Sequence, residues 1–342
     1  MRRVAWAAAA LVVATTAAAQ EPTDVDVRTL RYASPGGAEL LLDLYRPARA
    51  AGRLPLIVFV HGGGWAAGTR TTGPDFRRFF ARDGFAVASI DYRLTPAGTF
   101  PRSVEDVKTA IRYLRAHADS LGLDAERVCL WGTSAGGHLA AVAALAPRGT
   151  FEGTEWADWP SAVRCVLDAY GPTSFATMDD ETAAEASTLQ PVALALVTAG
   201  RPGPGPQRHD APTSPESRLV GAALGSVPDR VREASPLTYV TAAAPPFLIV
   251  HGMADNSVPR RQSERLYEAL AAAGGEVELR LVDGLPHTFY NRTDLDDVAG
   301  PFRMAVRTRP RGGAERSTVD RAGVFDVARA FFARHLGDPR RR

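Results

Sequence analysis

The chain has 342 residues, 45% of them hydrophobic, enough to bury a substantial core in one large α/β domain or two smaller ones. Its 40 Lys and Arg residues against 38 Asp and Glu give a formal charge of +2, and Arg2 and Arg3 supply that excess. Without them the balance is 38 against 38, which leaves no electrostatic case for nucleic acid or another polyanion as partner.

Met1-Arg2-Arg3, the apolar run from Val4 to Ala14, and Ala17-Ala18-Ala19 before Gln20 have the charged, apolar and small-residue regions of a secretory signal peptide over residues 1–19. Cleavage near Ala19 and a secreted or periplasmic product follow. A stable membrane anchor is not expected, because the apolar run is short and Glu21-Pro22-Thr23-Asp24 follows at once. The segments Val25 to Tyr32 and Leu40 to Tyr45 flank Ser34-Pro35-Gly36-Gly37 and predict an opening antiparallel hairpin.

Leu56-Ile57-Val58-Phe59-Val60 is an uninterrupted apolar run, as expected of a strand covered on both faces, and it leads into His61-Gly62-Gly63-Gly64-Trp65. A helix near Asp75 to Arg82, a strand from Phe85 to Ile90 and an amphipathic helix from Pro101 to His117 follow. A strand from Val128 to Trp131 then runs through Gly132-Thr133-Ser134-Ala135-Gly136 into a helix ending near Ala146. The alternation continues with a strand from Ala162 to Asp168, and after a gap with Pro246 to Val250, a helix from Arg260 to Ala273, a strand from Val277 to Val282 and a final helix from Val319 to His335. Strands alternating with helices predict a mostly parallel sheet with right-handed crossovers, within one unit over residues 25–336.

Between Thr173 and Pro236 the pattern breaks down. Two short helices, Thr188 to Thr198 and Pro215 to Leu224, flank Arg201-Pro202-Gly203-Pro204-Gly205-Pro206, and the segment reads as a lid-like insertion or a surface loop. The charged stretch from Asn291 to Ser317 carries no assignable pattern. Cys129 and Cys165 fall in apolar strands expected to be neighbours, and buried cysteines there are expected to be free thiols acting as small hydrophobes.

Gly132-Thr133-Ser134-Ala135-Gly136 between a strand and a helix is the context of a G-x-S-x-G nucleophile elbow, in which Ser134 sits at the tip of a strained turn. Gly132 and Gly136 leave room for strand and helix to crowd that turn. The pattern alone is weak evidence, so it needs partners. A serine hydroxyl requires a base, and the base a carboxylate that fixes its tautomer, in the chain order Ser, Asp or Glu, His. Of the later histidines, His138 lies in the helix after the elbow, His209 in the Pro-rich segment, His251 ahead of the acid, and His335 in the last helix. His287, in a loop directly after a strand, remains as the base. Asp255, just beyond the strand ending at Val250, is preferred as the acid over Asp168, whose blander role is to support the loop Tyr170-Gly171-Pro172. The triglycine after His61 suits an oxyanion hole built from the amides of Gly63, Gly64 and Ala135, with Gly62 or the Trp65 amide able to replace one of them. Asp91, Arg93, Glu105 and Asp106 read as ion-pair braces between loops rather than catalytic groups. No cluster has metal-ligand spacing.

His61-Gly62-Gly63-Gly64-Trp65, Asp91-Tyr92-Arg93-Leu94, Gly132 to Gly137, Tyr170-Gly171-Pro172 and His251-Gly252 with Asp255 together resemble the α/β-hydrolase esterases of the hormone-sensitive-lipase-like and bacterial feruloyl or acetyl-xylan esterase type. The resemblance covers most of residues 25–336. It implies an α/β-hydrolase fold and a serine carboxylesterase without metal or organic cofactor. Leu285-Pro286-His287-Thr288 departs from the family, which more often has a small residue before the histidine and glycine after it. An exported esterase of short acyl groups, on a small-molecule or carbohydrate-linked substrate, is the resulting expectation. An amidase or formamidase with the same triad, a lipase, and a non-catalytic binding module are the competing readings.

Overall fold

The computed structural model describes residues 24–50, 52–188, 208–291 and 300–341. The signal-peptide reading, the stretch from Arg201 to Pro206 and, apart from Thr188, the helix expected from Thr188 to Thr198 lie outside them. Among the described residues no helix is long and apolar enough to cross a membrane.

The strands are β1 (Val25–Ala33), β2 (Leu40–Pro47), β3 (Leu54–Val60), β4 (Ala86–Ile90), β5 (Leu123–Thr133), β6 (Val166–Ala169), β7 (Phe247–Gly252), β8 (Val277–Val282), β9 (Phe302–Arg309) and β10 (Arg316–Ala322). They form a 10-stranded sheet in the order β1-β2-β4-β3-β5-β6-β7-β8-β9-β10. The run from β4 to β8 is parallel, and antiparallel strands complete it at both ends, β1 and β2 as the expected hairpin and β9 and β10 on the far side. The principal helices are α1 (Arg102–Ala116), α2 (Ala118–Leu121), α3 (Ala135–Leu145), α4 (Met178–Thr188), α5 (Pro215–Val220), α6 (Pro228–Ala234), α7 (Arg260–Ala272) and α8 (Val324–Leu336). This is the mostly parallel, helix-flanked sheet of an α/β-hydrolase.

The apolar run in β3 shows why both faces are covered. Leu56, Val58 and Val60 pack with Val104, Val107 and Ile111 of α1, Leu139 and Val142 of α3, and Leu266 and Leu270 of α7. Ile57 and Phe59 point the other way, into a layer with Phe79 and Phe80 of a single π-helical turn and Phe331 and Phe332 of α8. Trp131 of β5 sits in that second layer, its ring 5.1 Å from those of Phe59 and Phe80 and 5.2 Å from that of Tyr290. Period-two alternation thus assigns each residue to a helix layer, and the central strands are held from both sides.

Three expectations are corrected. Cys129 and Cys165 are not free but bonded to each other. Leu130 N donates to Cys165 O at 3.0 Å and Leu130 pairs with Val166, so the two cysteines lie abreast on adjacent strands, with side chains in the same layer. Their Cα atoms are 4.8 Å apart, the spacing of neighbouring strands, which already lies within the range a disulfide spans. Unfolded, unreduced protein is therefore expected to show no free thiol on labelling. For a sequence separation of 36, Cys129→Ala with Cys165→Ala should cost about 3–4 kcal/mol in the chain-entropy picture.

The second correction is the stretch from Asn291 to Ser317, which holds β9 and the start of β10. Met304 and Val306 of β9 are buried while their immediate neighbours are not, the pattern of a strand with one wet face. The third is the final helix: Val319 belongs to exposed edge strand β10, and α8 begins at Val324 behind Gly323. Among the described residues of the 173–236 segment the α-helices are α4, α5 and α6; α5 matches the start of the second expected helix, whereas α4 begins before and α6 follows the expected pair.

Candidate active site

The carboxyl ends of β3, β5, β7 and β8, close neighbours in one parallel sheet, deliver the loops that begin at His61, Ser134, Met253 and Asp283. Side chains from distant parts of the chain therefore meet over one edge of the sheet.

Ser134 has φ 55° and ψ −122°, a sparsely populated conformation for a residue with a side chain. The surroundings over-determine it. Ser134 N donates to Ala169 O at 2.8 Å, and His138 N donates to Ser134 O at 3.0 Å to begin α3. A Cβ on Gly132 would lie 2.0 Å from Gly136 O, and one on Gly136 would lie 2.0 Å from Val60 O. These contacts give the two elbow glycines their physical reason: β5, α3 and the end of β3 touch through backbone alone.

Ser134 Oγ donates to His287 Nε2 at 2.8 Å, and His287 Nδ1 donates to Asp255 Oδ2 at 2.6 Å. Ser134 and His287 are partly exposed, whereas the Asp255 side chain is only 1% exposed. Asp255 Oδ1 accepts from the amides of Ser257 (2.8 Å) and Val258 (3.0 Å). Burial pushes the Asp255 carboxyl up, but hydrogen bonding to His251 and His287 and their charge outweigh it and hold the group well below the usual carboxylate range. Ala254 N donates to Leu285 O at 3.0 Å, which ties the loop of the acid to that of the histidine. The Tyr170 ring meets the His287 imidazole edge-on at 4.9 Å. Thr288 has φ 65°, so a glycine would be at ease after the histidine and threonine occupies the position at a cost.

Asp168 takes no part in this constellation. It is fully buried at the end of β6 and Oδ1 accepts from Gly171 N at 3.0 Å, which is the loop-supporting role. Burial pushes its pKa up to about 7, against the hydrogen bond from Gly171.

The loop from His61 to Trp65 lies beside the elbow: a Cβ on Gly62 would stand 3.2 Å from Ser134 Cβ. Gly63 and Gly64 have φ 122° and 58°, and a Cβ on Gly63 would fall 2.1 Å from Ala67 O. The amides of Gly63, Gly64, Trp65 and Ala135 donate to no backbone carbonyl among the described residues. Trp65 Nε1 donates to His138 Nδ1 at 3.2 Å, and His138 Nε2 donates to Ala234 O at 2.7 Å. Burial lowers the His138 pKa to about 4, despite that last bond, so the ring stays neutral and able to accept from Trp65. Tyr92 OH donates to His61 O at 3.0 Å, and its ring stacks on His61 at 4.3 Å.

The ion pairs form braces. Arg70 reaches Asp91 and Asp43, both at 3.0 Å, while Arg93 grips Asp106 at 2.7 Å and Glu105 at 3.3 Å, tying the end of β4 to the first turn of α1. Two histidines not chosen as the base, His138 for its place in a helix and His251 for preceding the acid, are fully buried beside this constellation: His138 Nδ1 accepts from Trp65, and His251 Nε2 lies 3.2 Å from Asp255 Oδ2. Their signals were position: His138 is four residues after Ser134 on a helix, and His251 is four before Asp255 at a strand end.

The BD-FAE family model matches residues 42–270, well over half of the chain. The chain belongs to the BD-FAE family. Among its relatives is the esterase LipC of Mycobacterium tuberculosis, 33% identical over 277 residues, or 78% of this chain and 60% of LipC. The chain thus spans about three fifths of the length of that relative. Among solved structures, a truncated carbohydrate esterase from gut microbiota is similar with a TM-score of 0.62 and 27% identity, over 82% of this chain and 96% of that one. The thermophilic esterase Est2 of the planctomycete Thermogutta terrifontis, with propionate bound, has a TM-score of 0.59 and 27% identity over 82% and 90% of the two chains. Est2 has also been solved with butyrate bound and phosphonylated by sarin. With the family come the fold and the motif set; the contacts described above belong to this chain.

Proposed function

We propose that the protein is an exported serine carboxylesterase that hydrolyses short-chain acyl esters through Ser134, His287 and Asp255. The observation that carries this reading is the single imidazole bridging Ser134 Oγ at 2.8 Å and Asp255 Oδ2 at 2.6 Å. Ser134 Oγ attacks the ester carbonyl while His287 Nε2 takes its proton, and the charge left on the imidazole faces the ionised Asp255. The tetrahedral oxyanion lies against the amides of Gly63, Gly64 and Ala135, which need no reorganisation to receive it. Collapse returns the proton from His287 to the departing alcohol and leaves an acyl-Ser134. Water, deprotonated by the same nitrogen, then releases the acid. The route uses no metal or organic cofactor.

The signal-peptide pattern over residues 1–19 supports export, as does the Cys129–Cys165 disulfide, since such bonds persist in oxidising compartments. The likeness to a carbohydrate esterase and to an esterase solved with propionate and with butyrate supports short acyl groups, such as those decorating plant polysaccharide. The described part of the 173–236 segment acts as a cap, since Pro215 Cβ at the start of α5 lies 3.3 Å from where a Gly64 Cβ would stand. The test is kcat/KM across 4-nitrophenyl esters, run beside acetylated xylan and methyl ferulate. We expect a peak between acetyl and butyryl and a steep decline beyond, because a methylene with an apolar pocket contributes roughly 1 kcal/mol and one without a pocket contributes nothing favourable. A profile still rising at decanoyl would point to a lipase, and no labelling of Ser134 by a fluorophosphonate would remove the serine mechanism.

A further inference from the structure

The triad accounts for one of the two histidines beside Asp255. His251, the penultimate residue of β7, is fully buried on the other side of the same carboxylate. Its Nε2 lies 3.2 Å from Asp255 Oδ2, the oxygen that also accepts from His287 Nδ1, and 3.1 Å from Val258 O. Both neighbours are acceptors, so Nε2 carries a proton. Nδ1 faces Ser263 Oγ at 2.7 Å, a hydroxyl able to donate to it. The ring is thereby fixed in one tautomer by a residue on the first turn of α7.

We propose that His251, held by Ser263, is a positioning residue for the triad; the inference rests on the reading of Ser134, His287 and Asp255 given above. Two anchors meet at this ring. Asp255 Oδ1 is fixed by the amides of Ser257 and Val258, and the carbonyl of that same Val258 accepts from His251, so the turn from Asp255 to Val258 closes around the histidine. The Nε2 proton also withdraws charge from Oδ2 and so moderates the pull of Asp255 on His287. The neighbouring residue on α7 extends the anchor: Gln262 Oε1 accepts from the amides of Thr173 and Ser174, both at 2.7 Å, and so ties the entry of the 173–236 segment to the helix turn that holds His251. The charged and titratable groups facing His251 are Asp255 on its own loop, Asp168 at the end of β6 and Glu185 on α4, with His287 beyond Asp255.

The experiment is steady-state kinetics on 4-nitrophenyl acetate with the full chain, over pH, for His251→Phe, His251→Gln, Ser263→Ala and Ser263→Thr, each checked by circular dichroism and melting temperature. His251→Phe is expected to lower kcat about tenfold or more, with KM little changed because the ring is buried behind Asp255. With Nε2 gone, the full charge of Oδ2 faces His287, so the acid limb of kcat/KM moves to higher pH, and the low-field NMR proton of the His287–Asp255 bond shifts. His251→Gln, which keeps a donor near Nε2, restores most of kcat. Ser263→Ala reproduces a smaller loss and Ser263→Thr reverses it.

If His251→Phe does not fold, the Ser263 pair decides: a loss in the alanine variant restored by threonine supports the role, and equal kcat in both overturns it. A folded His251→Phe protein with unchanged kcat, pH limb and low-field proton, or one that loses only melting temperature, also overturns it. Fluorophosphonate labelling separates this inference from the one beneath it. Wild-type Ser134 that labels at the same rate as in His251→Phe defeats only the positioning role, whereas wild-type Ser134 that fails to label defeats both.

Discussion

Ser134→Ala and His287→Ala are each expected to lower kcat by about 10⁴-fold to 10⁶-fold, and the double variant by little more than either alone, because nucleophile and base act as one unit. Asp255→Asn should lose about 10⁴-fold, since the amide cannot hold the His287 tautomer and the carboxylate orients rather than attacks. Asp168→Asn provides the contrast, because its side chain serves the Tyr170-Gly171-Pro172 turn and not the histidine. It should leave turnover largely intact and act on stability. Burial raises the Asp168 pKa from 3.8 to about 7, so the folded protein holds that proton more tightly than the unfolded chain. Its stabilising contribution is fully present below the lower value and is lost as pH rises through the higher one. Asp168→Asn is therefore expected to flatten the fall of melting temperature across that window. Asp255 runs in the opposite sense: its depressed pKa contributes stability above the ordinary carboxylate range that is lost only in strong acid. Asp255 is thus expected to stay ionised through the neutral range, where it can hold the His287 tautomer. Kinetics across pH for the four variants check this, and a crippling Asp168→Asn beside a mild Asp255→Asn would reverse the acid assignment.

What the sequence makes legible here is whatever the backbone repeats locally. The apolar run in β3, the alternation of strands and helices and the glycines at Gly132 and Gly136 are local patterns with one physical solution each, and they lead directly to the central sheet and the elbow. Chain order and strand ends select Ser134, Asp255 and His287, which converge to hydrogen-bond distance in the folded chain. The strands β9 and β10 are harder to read, because an antiparallel edge needs only one apolar face and β10 has almost none. The disulfide is invisible for a different reason. Whether Cys129 and Cys165 lie abreast depends on the register of two strands joined through a helix and a loop, and a slip of one residue would turn either sulfur to the other face. The supporting histidines share that difficulty: His138 and His251 matter through Trp65, Ala234, Ser263 and Asp255, partners fixed only by tertiary packing.

The elbow itself carries the second large expected effect. Gly132→Ala and Gly136→Ala each add one methyl group at a buried junction where backbone packs directly against backbone. The Gly132 methyl would meet Gly136 O at 2.0 Å and Gly136 C at 2.3 Å, while the Gly136 methyl would meet Val60 O at 2.0 Å and His61 O at 2.5 Å. A flexible side chain could swing aside from such a contact; carbonyl groups at the ends of β3 and at the start of α3 cannot, since both are fixed by the sheet and the helix. Ordinary overpacking in a core costs about 1–3 kcal/mol, and a clash against backbone from three elements should reach or exceed the top of that range. The functional loss should be larger than the stability loss. Relief in Gly136→Ala requires the loop at His61 to separate from the turn at Ser134, which moves the amides of Gly63 and Gly64 away from the carbon that Ser134 attacks, while relief in Gly132→Ala pushes α3 from β5 and displaces Ser134 itself, each at an expected cost of about 10²-fold or more in kcat. Gly137→Ala is a useful companion, because its methyl would meet the Asp168 carboxylate at 2.3 Å instead of the His61 loop. It should destabilise the turn at Tyr170 while sparing the approach of His61 to Ser134. Melting temperature, fluorophosphonate labelling rate and kcat measured on the three variants separate these outcomes, and Gly136→Ala with wild-type stability and turnover would show that the loop and the elbow are not in the contact described.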